Sequence, residues 1–344
     1  MYGCVGGSSE KYIGGKMKPL ISVIVPIYNG AQYLDNLFNQ FKRQSYKNLE
    51  VILVNDGSKD NSSEIIKKHL NEALLSPIKF IYIEKKNEGQ GAARNTGIDL
   101  SNGKFISFVD QDDSFKDDYF EKLGTIAETK KIDILLTGFE TFDFNGVKDR
   151  VYVNNCEWGK FINVSPWGKL YAKEYIDKIN ARFLEVPLGE DIYFNLYCYS
   201  HKPLIYYSDY IGYQWRVNEN SFSHTNYISV SEDATVIKLF DALLKMDTWN
   251  EWIKDYEYQY FLLKTGIYHI LFAAKSTEYK RLVEYKNEVF DWLNKHVCKI
   301  ERNPLLFKNK PQGERKALIA IVRIYMILRK MKFENIFLYI FRII

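Results

Sequence analysis

The chain has no CxxC pair, no G-x-x-x-x-G-K-[ST] loop and no uninterrupted apolar run approaching the ~18 residues of a membrane span. Its four cysteines, Cys4, Cys156, Cys198 and Cys298, are scattered, which excludes a disulfide framework or cysteine zinc site and fits a reducing compartment. His69, His201, His269 and His296 show no metal-ligand spacing. No internal repeat or low-complexity tract occurs. The opening MYGCVGGSSEKYIGGKM lacks the apolar stretch of a signal peptide and has no hydrophobic periodicity. Ile13-Gly14-Gly15-Lys16-Met17 can be encoded by codons carrying GGAGG just ahead of ATG. Met17 is therefore expected to be the native start and residues 1–16 a flexible leader.

With 344 residues, of which 46% are hydrophobic and 26% charged, the chain can bury a sizeable core, and two domains or one with an appendage are expected. Charge is uneven. Residues 303–344 carry nine Lys/Arg against Glu314 and Glu334, a net +7 that leaves −3 of the overall +4 for everything before them. The basic residues sit among large apolar ones, which argues against nucleic acid as a partner.

ISVIVPI (residues 21–27) reads as a buried parallel strand, followed by the turn residues Tyr28-Asn29-Gly30 and a helix over 33–43. Further strands are predicted at 50–54, 78–83 and 104–109. Helices are predicted after Asn61 or Ser62 and over 91–100. Strands alternating with helices imply an α/β fold, a mostly parallel sheet flanked by helices. After Asp113 the rhythm changes: a helix over 119–128, a strand over 132–142, a hairpin turn at Asn145-Gly146 and a largely helical stretch over 228–295.

Four polar clusters fall on one edge of this sheet: Pro26-Ile27-Tyr28-Asn29, Asn55-Asp56-Gly57-Ser58, Asn87 to Asn95 (NEGQGAARN), and Asp110-Gln111-Asp112-Asp113. That edge, beyond the carboxyl ends of the strands, is where open α/β sheets bind ligands. Three carboxylates in four positions repel one another unless a cation sits among them; the competing reading is a solvated turn capping the next helix. Gly89 and Gly91 permit close approach of backbone to ligand, and the helix start behind them suits phosphate. Arg94 adds a cation, or else pairs with Asp99 or Glu88 at the surface. It also stands where a dinucleotide fingerprint needs a small residue, which weakens a dehydrogenase reading.

In this order and spacing the clusters resemble the bacterial family 2 inverting glycosyltransferases of the GT-A nucleotide-diphospho-sugar transferase fold, with their VSVIVPxYN, VxDGSxDxS, NxGxxxARNxG and D-x-D motifs. The resemblance covers about residues 20–225. It implies that Asp56 reads the nucleobase, that Asp110 holds the ribose and that Asp112 ligates Mn2+ or Mg2+ on the donor diphosphate. Asp113 supports from the side or caps the next helix. Gly189-Glu190-Asp191 matches the family's GED element, so Asp191 is the expected base and Glu190 the residue orienting acceptor or donor sugar; alone, the pair reads as acidic residues at a helix start. Trp167, in a W-x-K-L-Y element, stacks on the sugar or serves the core. Arg216 and Ser221 lie in a YxxRxxxxS segment expected to close over the diphosphate, and His224 is either a metal-reaching or an exposed loop residue.

In the tail, Lys316, Arg323 and Lys330 recur every seven residues, one polar line on a helix otherwise apolar. A helix in the headgroup layer of the cytoplasmic membrane face fits, and deleting residues 314–344 would then leave a soluble enzyme. A helix packed on its own domain or on a partner copy is the alternative, and its loss would expose a core face. The resulting expectation has four parts: leader 1–16, catalytic domain 17–227, helical extension 228–303, and basic amphipathic tail 304–344. The expected activity moves a hexose or N-acetylhexosamine from a nucleotide-sugar, UDP-linked by resemblance, to a lipid-linked glycan or cell-surface polysaccharide precursor; oligomers are compatible. The alternatives are a nucleotidyl- or phosphoryl-transfer enzyme and a silent sugar-nucleotide- or glycan-binding module.

Overall fold

The computed structural model describes residues 18–73, 76–143, 145–153, 155–186, 188–217, 230 and 235–343. Its first half alternates strictly: β1 Ile21–Ile27, α1 Ala31–Arg43, β2 Leu49–Asp56, α2 Ser62–Glu72, β3 Lys79–Lys85, α3 Gln90–Leu100 and β4 Phe105–Phe108. β1 and β2 are buried at every position because helices cover both faces. Successive side chains divide between those faces. Ile21, Val23 and Val25 pack with Leu37, Phe38 and Phe41 of α1, whereas Ile24 packs with Ala93 and Ile98 of α3.

β3, β2, β1 and β4 lie side by side in parallel. The sheet then departs from the expected pattern. β5 Ser114–Phe115, α4 Tyr119–Thr129, β6 Ile134–Asp143, β7 Gly146–Val151, β8 Lys169–Ala172, α5 Lys173–Lys178, α6 Glu190–Ser200 and β9 Ile205–Arg216 follow. β8 joins β4 antiparallel, β6 joins β8 antiparallel, and β9 runs parallel to β6, giving the order β3-β2-β1-β4-β8-β6-β9-β5. β7 pairs with β6 across the Asn145-Gly146 turn, where Gly146 has φ 107°. β9 carries Tyr213 and Arg216 back beside the end of β4, and that return shapes the site.

The remainder is helical: α7 Val236–Leu244, α8 Trp249–Trp252, α9 Tyr256–Ala274, α10 Tyr279–His296, α11 Pro304–Phe307, α12 Lys316–Lys330 and α13 Glu334–Ile343. These helices share one hydrophobic cluster with a face of the sheet. Trp158 and Phe161 pack on Tyr260, Tyr258 and Phe261, so no packing break follows residue 227.

The tail is two helices. At Lys332 the backbone turns left-handed (φ 63°), and the Phe333 N–H bonds back to the Leu328 carbonyl at 2.8 Å, a Schellman-type stop. One face of the tail packs on its own domain, and of the predicted line of cations Arg323 is half-buried and donates to the Asn309 carbonyl at 2.6 Å. Ile319, Val322, Tyr325, Met326 and Leu338 are buried, and Lys264 forms a 2.6 Å ion pair with the 5%-exposed side chain of Glu314 at the tail's root. Trp158 Nε1 donates to the same carboxylate at 3.3 Å. The outer face carries nine of the seventeen exposed large apolar side chains among the described residues, so this segment alone has a surplus of uncovered apolar surface. The only acid from 315 to 343, Glu334, turns inward to Lys286 and Arg329. Lys316, Lys330, Lys332 and Arg342 are exposed. No described helix is long and apolar enough to cross a membrane.

Candidate active site

The loops at the carboxyl edge of β1, β2 and β3 are pinned to one another. Pro26 is buried in β1 opposite Val54. Beyond it, Asn29 adopts φ 47°, donating its N–H to Ser58 Oγ at 2.9 Å and accepting the Lys59 N–H on Oδ1 at 2.8 Å. Tyr28 is exposed, and Gln111 holds its backbone by two bonds, 3.1 Å from the Tyr28 N–H and 3.0 Å to its carbonyl. Asp56 is buried and accepts the N–H groups of Glu88 (3.0 Å) and Gly89 (2.8 Å), one on each oxygen. Each oxygen keeps a second lone pair, so the carboxylate can organise the β3–α3 loop and still accept from a ligand. Gly89 itself sits at φ 94°, ψ 163°, a region open essentially to glycine alone.

The three aspartates after β4 have separate fates. Asp113 is buried, accepting the Tyr213 hydroxyl at 2.6 Å and the Arg216 N–H at 2.8 Å; it anchors the end of β9 and does not cap α4. Burial, then the neighbouring Asp110 and Asp112, push its carboxyl well above the usual range. Asp110 accepts Arg94 Nη2 at 2.9 Å and Gln90 Nε2 at 3.2 Å. Asp112 is half-buried, and its carboxylate is not spent on any described neighbouring side chain, although Arg216 Nε grips its backbone carbonyl at 2.8 Å. Burial and the charge of Asp110 push its carboxyl up to about 6. A desolvated carboxylate beside a like charge is one that a cation would relieve.

Glu190 and Asp191 open α6 behind Gly189, which is left-handed at φ 85°. Arg94 reaches them from α3. Its side chain is 0% exposed, with Nη1 2.5 Å from Asp191 Oδ1 and 3.7 Å from Glu190 Oε1. Burial, then Asp191, lift Glu190 to about 8; Asp191 is also raised, by burial and Asp110 against the opposing pull of Arg94 and Lys169. Burial thus raises both carboxyls, and the facing Arg94 cation opposes the rise in each.

Two sequence expectations meet a different environment. Arg94, expected at the phosphates, lies beneath the carboxylates with both terminal nitrogens engaged. Trp167, expected to offer a face to sugar, is 4% exposed and stacks on Tyr213 at 4.8 Å and on Trp215 at 6.2 Å. The ring belongs to a nonlocal aromatic stack and serves the core. Ser221 and His224 lie outside the described residues. Three contributors went unassigned in the sequence: Gln111, Tyr213 and Lys169. Lys169 is wholly buried, bonds to the Ser165 carbonyl, and is held down to about 7 by burial. A lysine inside the apolar strand WGKLY was its signal. Gln111 and Tyr213 act through contacts across more than eighty residues, which no local pattern displays.

Among the described residues no three His, Cys, Asp or Glu side chains form a metal cage. The residues present nevertheless suit a hard cation shared with phosphate: Mg2+-type sites use one or two carboxylates, with phosphate oxygens and water completing the shell. Among the described residues, the Asp112 carboxylate accepts no side-chain hydrogen bond and could do so.

Residues 22–180 match the family model described as glycosyl transferase family 2. Glycosyltransferase GlyA of Streptococcus pneumoniae is 33% identical over 223 residues, 59% of this chain and 31% of that protein. The uncharacterized glycosyltransferase EpsJ of Bacillus subtilis is 30% identical over 231 residues, 61% of this chain and 65% of its own length. The chain thus spans less than two thirds of these relatives. Among solved structures, S. aureus TarS 1–349 in complex with UDP-GlcNAc superposes with a TM-score of 0.53 at 20% identity, covering 92% of this chain and 89% of that one. The mannosyltransferase PcManGT of Pyrobaculum calidifontis, in complex with GDP-Man and Mn2+, gives 0.50 at 13% identity, covering 91% and 88%.

Proposed function

We propose that this chain, whose residues 22–180 match the glycosyl transferase family 2 model and whose α/β sheet has the GT-A arrangement, is an inverting, metal-dependent glycosyltransferase. Its donor is a UDP-linked hexose or N-acetylhexosamine, and its acceptor is a lipid-linked glycan or cell-surface polysaccharide precursor. The observation carrying this reading is that Asp110, two residues before Asp112, and the acid pair Glu190-Asp191 meet at one sheet edge, joined through Arg94.

Asp56 and the β3–α3 loop receive the nucleobase, and Pro26, Tyr28 and Asn29 wall that side. Asp110 takes the ribose, with Gln90 beside it. Asp112 would hold Mn2+ or Mg2+, which when bound supplies Lewis-acid stabilisation to the leaving diphosphate. Asp191 accepts the acceptor hydroxyl's proton as that oxygen bonds to the anomeric carbon; the anomeric C–O bond breaks, and its electron pair leaves with the nucleoside diphosphate. Glu190, carrying its proton, can donate a hydrogen bond to acceptor or sugar. Arg216 stands where the 218–229 segment begins and guards the diphosphate side. The outer face of α12 and α13 presents apolar side chains flanked by cations, chemistry suited to the anionic cytoplasmic face of a membrane.

Hydrolysis of UDP-Glc, UDP-Gal, UDP-GlcNAc and UDP-GalNAc, with Mn2+ and with chelator, tests the core of this. The expected result is hydrolysis of one of them that needs metal and disappears in Asp112→Asn, which keeps its fold by circular dichroism. Full activity under chelation overturns the metal assignment.

A further inference from the structure

Resting on the proposed transfer reaction, we infer that Arg94 is a positioning residue, not a donor ligand: its guanidinium ties the base Asp191 to the donor-side Asp110 and fixes the two relative to each other. Burial is the first ground. With no exposed surface and both terminal nitrogens on carboxylates, at 2.5 Å and 2.9 Å, the guanidinium is shut away from a phosphate, and its Nε is buried without a partner among the described residues. Its planar fork spans two separate carboxylates at once, which an ammonium cannot do with the same direction.

The second ground is how firmly α3 is held against the segment leading to α6. The Asn95 side chain exchanges two hydrogen bonds with the Phe183 backbone, 2.9 Å to its carbonyl and 2.8 Å from its N–H. At Gly91 the backbones approach so closely that a Cβ would meet the Leu184 carbonyl oxygen at 2.2 Å. The Phe183 ring lies 5.2 Å from the guanidinium. α3, β4 and α6 therefore meet at one cation, and two of them carry opposite ends of the reaction.

Four charged groups face Asp191: Arg94 from α3, Asp110 from the end of β4, Lys169 from β8 and Glu190 on its own helix. Arg94 favours the ionised form that a base requires. Loosening it raises the pH at which Asp191 ionises, so the acid limb of the rate profile moves to higher pH.

The test uses the full chain, Mn2+ and UDP-GlcNAc as probe, with water as acceptor. For Arg94→Lys the expectation is unchanged UDP affinity, a fall in hydrolysis kcat on the order of 10²-fold from misplacement, and an acid limb displaced upward. In a cycle of Arg94→Lys, Asp191→Asn and the double variant, melting-temperature shifts should be strongly non-additive. A collapse of UDP affinity with an unmoved limb would make Arg94 a donor ligand and overturn the inference. Additive melting shifts overturn it as well. If the wild-type protein hydrolyses no UDP-sugar, the transfer reading fails, and the thermal cycle still decides the clamp.

Discussion

The carboxyl edge of β1–β4 and the C-terminal pair α12–α13 dispose of apolar residues in opposite ways. At the sheet edge they are mostly inside: β1, β2 and β4 are buried throughout, β3 is partly buried, and apart from Tyr28 what protrudes beyond them is polar. In the tail, one set of apolar residues closes the core and a second faces outward, Ile324, Ile336 and Ile343 among them at 51%, 56% and 67% exposure. The first region is a finished surface whose polar leftovers do chemistry. The second leaves apolar area in water at a cost of about 25 cal/mol per Å², which a partner would recover. A site made of leftovers should tolerate substitution structurally and fail chemically; a half-covered helix pair should do the reverse on its inner face.

Removing the tail gives the largest effect. Deleting residues 314–344 strips five buried large side chains, each worth about 2–5 kcal/mol in a core, and breaks the Lys264–Glu314 pair. That sum, about 10–25 kcal/mol, is as large as or larger than the ~5–15 kcal/mol by which a domain is stable. The truncated protein is therefore expected to melt cooperatively at no temperature or to aggregate, the outcome expected of a helix packed on its own domain and not of one that lies only on a membrane. A truncation with wild-type melting behaviour would show that the inner face contributes nothing.

Asp191→Asn should be the converse, with the fold and UDP binding retained while transfer falls by a factor on the order of 10²–10⁴. Equal loss of UDP affinity would move Asp191 to the donor side and erase the division of labour with Asp110.

The comparison also explains what could be read in advance. At the sheet edge, strand and motif are contiguous in sequence: Phe105 to Val109 is an apolar run, and Asp110 to Asp113 follows at once. Local pattern therefore located the carboxylates, but it did not reveal that, among the described residues, Asp113 and Asp110 are bonded to other side chains while no side-chain hydrogen bond reaches the Asp112 carboxylate. That depends on β9, which returns a hundred residues later to occupy Asp113 through Tyr213 and Arg216. Trp167 looked available because its stacking partners, Tyr213 and Trp215, also arrive by that return. In the tail, the heptad of cations read as one helix because the stop at Lys332 uses lysine in the left-handed conformation, where glycine would have announced it.

The smallest expected effect on stability, and the sharpest test of the tail's outer face, comes from Ile324→Ser, Ile336→Ser and Ile340→Ser together. All three side chains are about half exposed, so each replacement should alter folding by no more than roughly 0.5 kcal/mol. If the face meets an anionic bilayer, the same variant should lose flotation with phosphatidylglycerol vesicles that carry the wild-type protein. Lys330→Glu with Lys332→Glu should weaken flotation as well, since each cation near such a surface contributes about 1 kcal/mol. Salt should weaken the wild-type interaction only in part, because screening reaches the charges and not the inserted side chains. A wild-type protein that stays off the vesicles and sediments as a dimer, converted to monomer by the three serines, would assign the same face to a second copy of the chain. The hairpin has an acid-free outer surface, its one glutamate being turned inward, and two such faces would bring like charges together. Charge repulsion therefore opposes the dimer and attraction favours the anionic membrane.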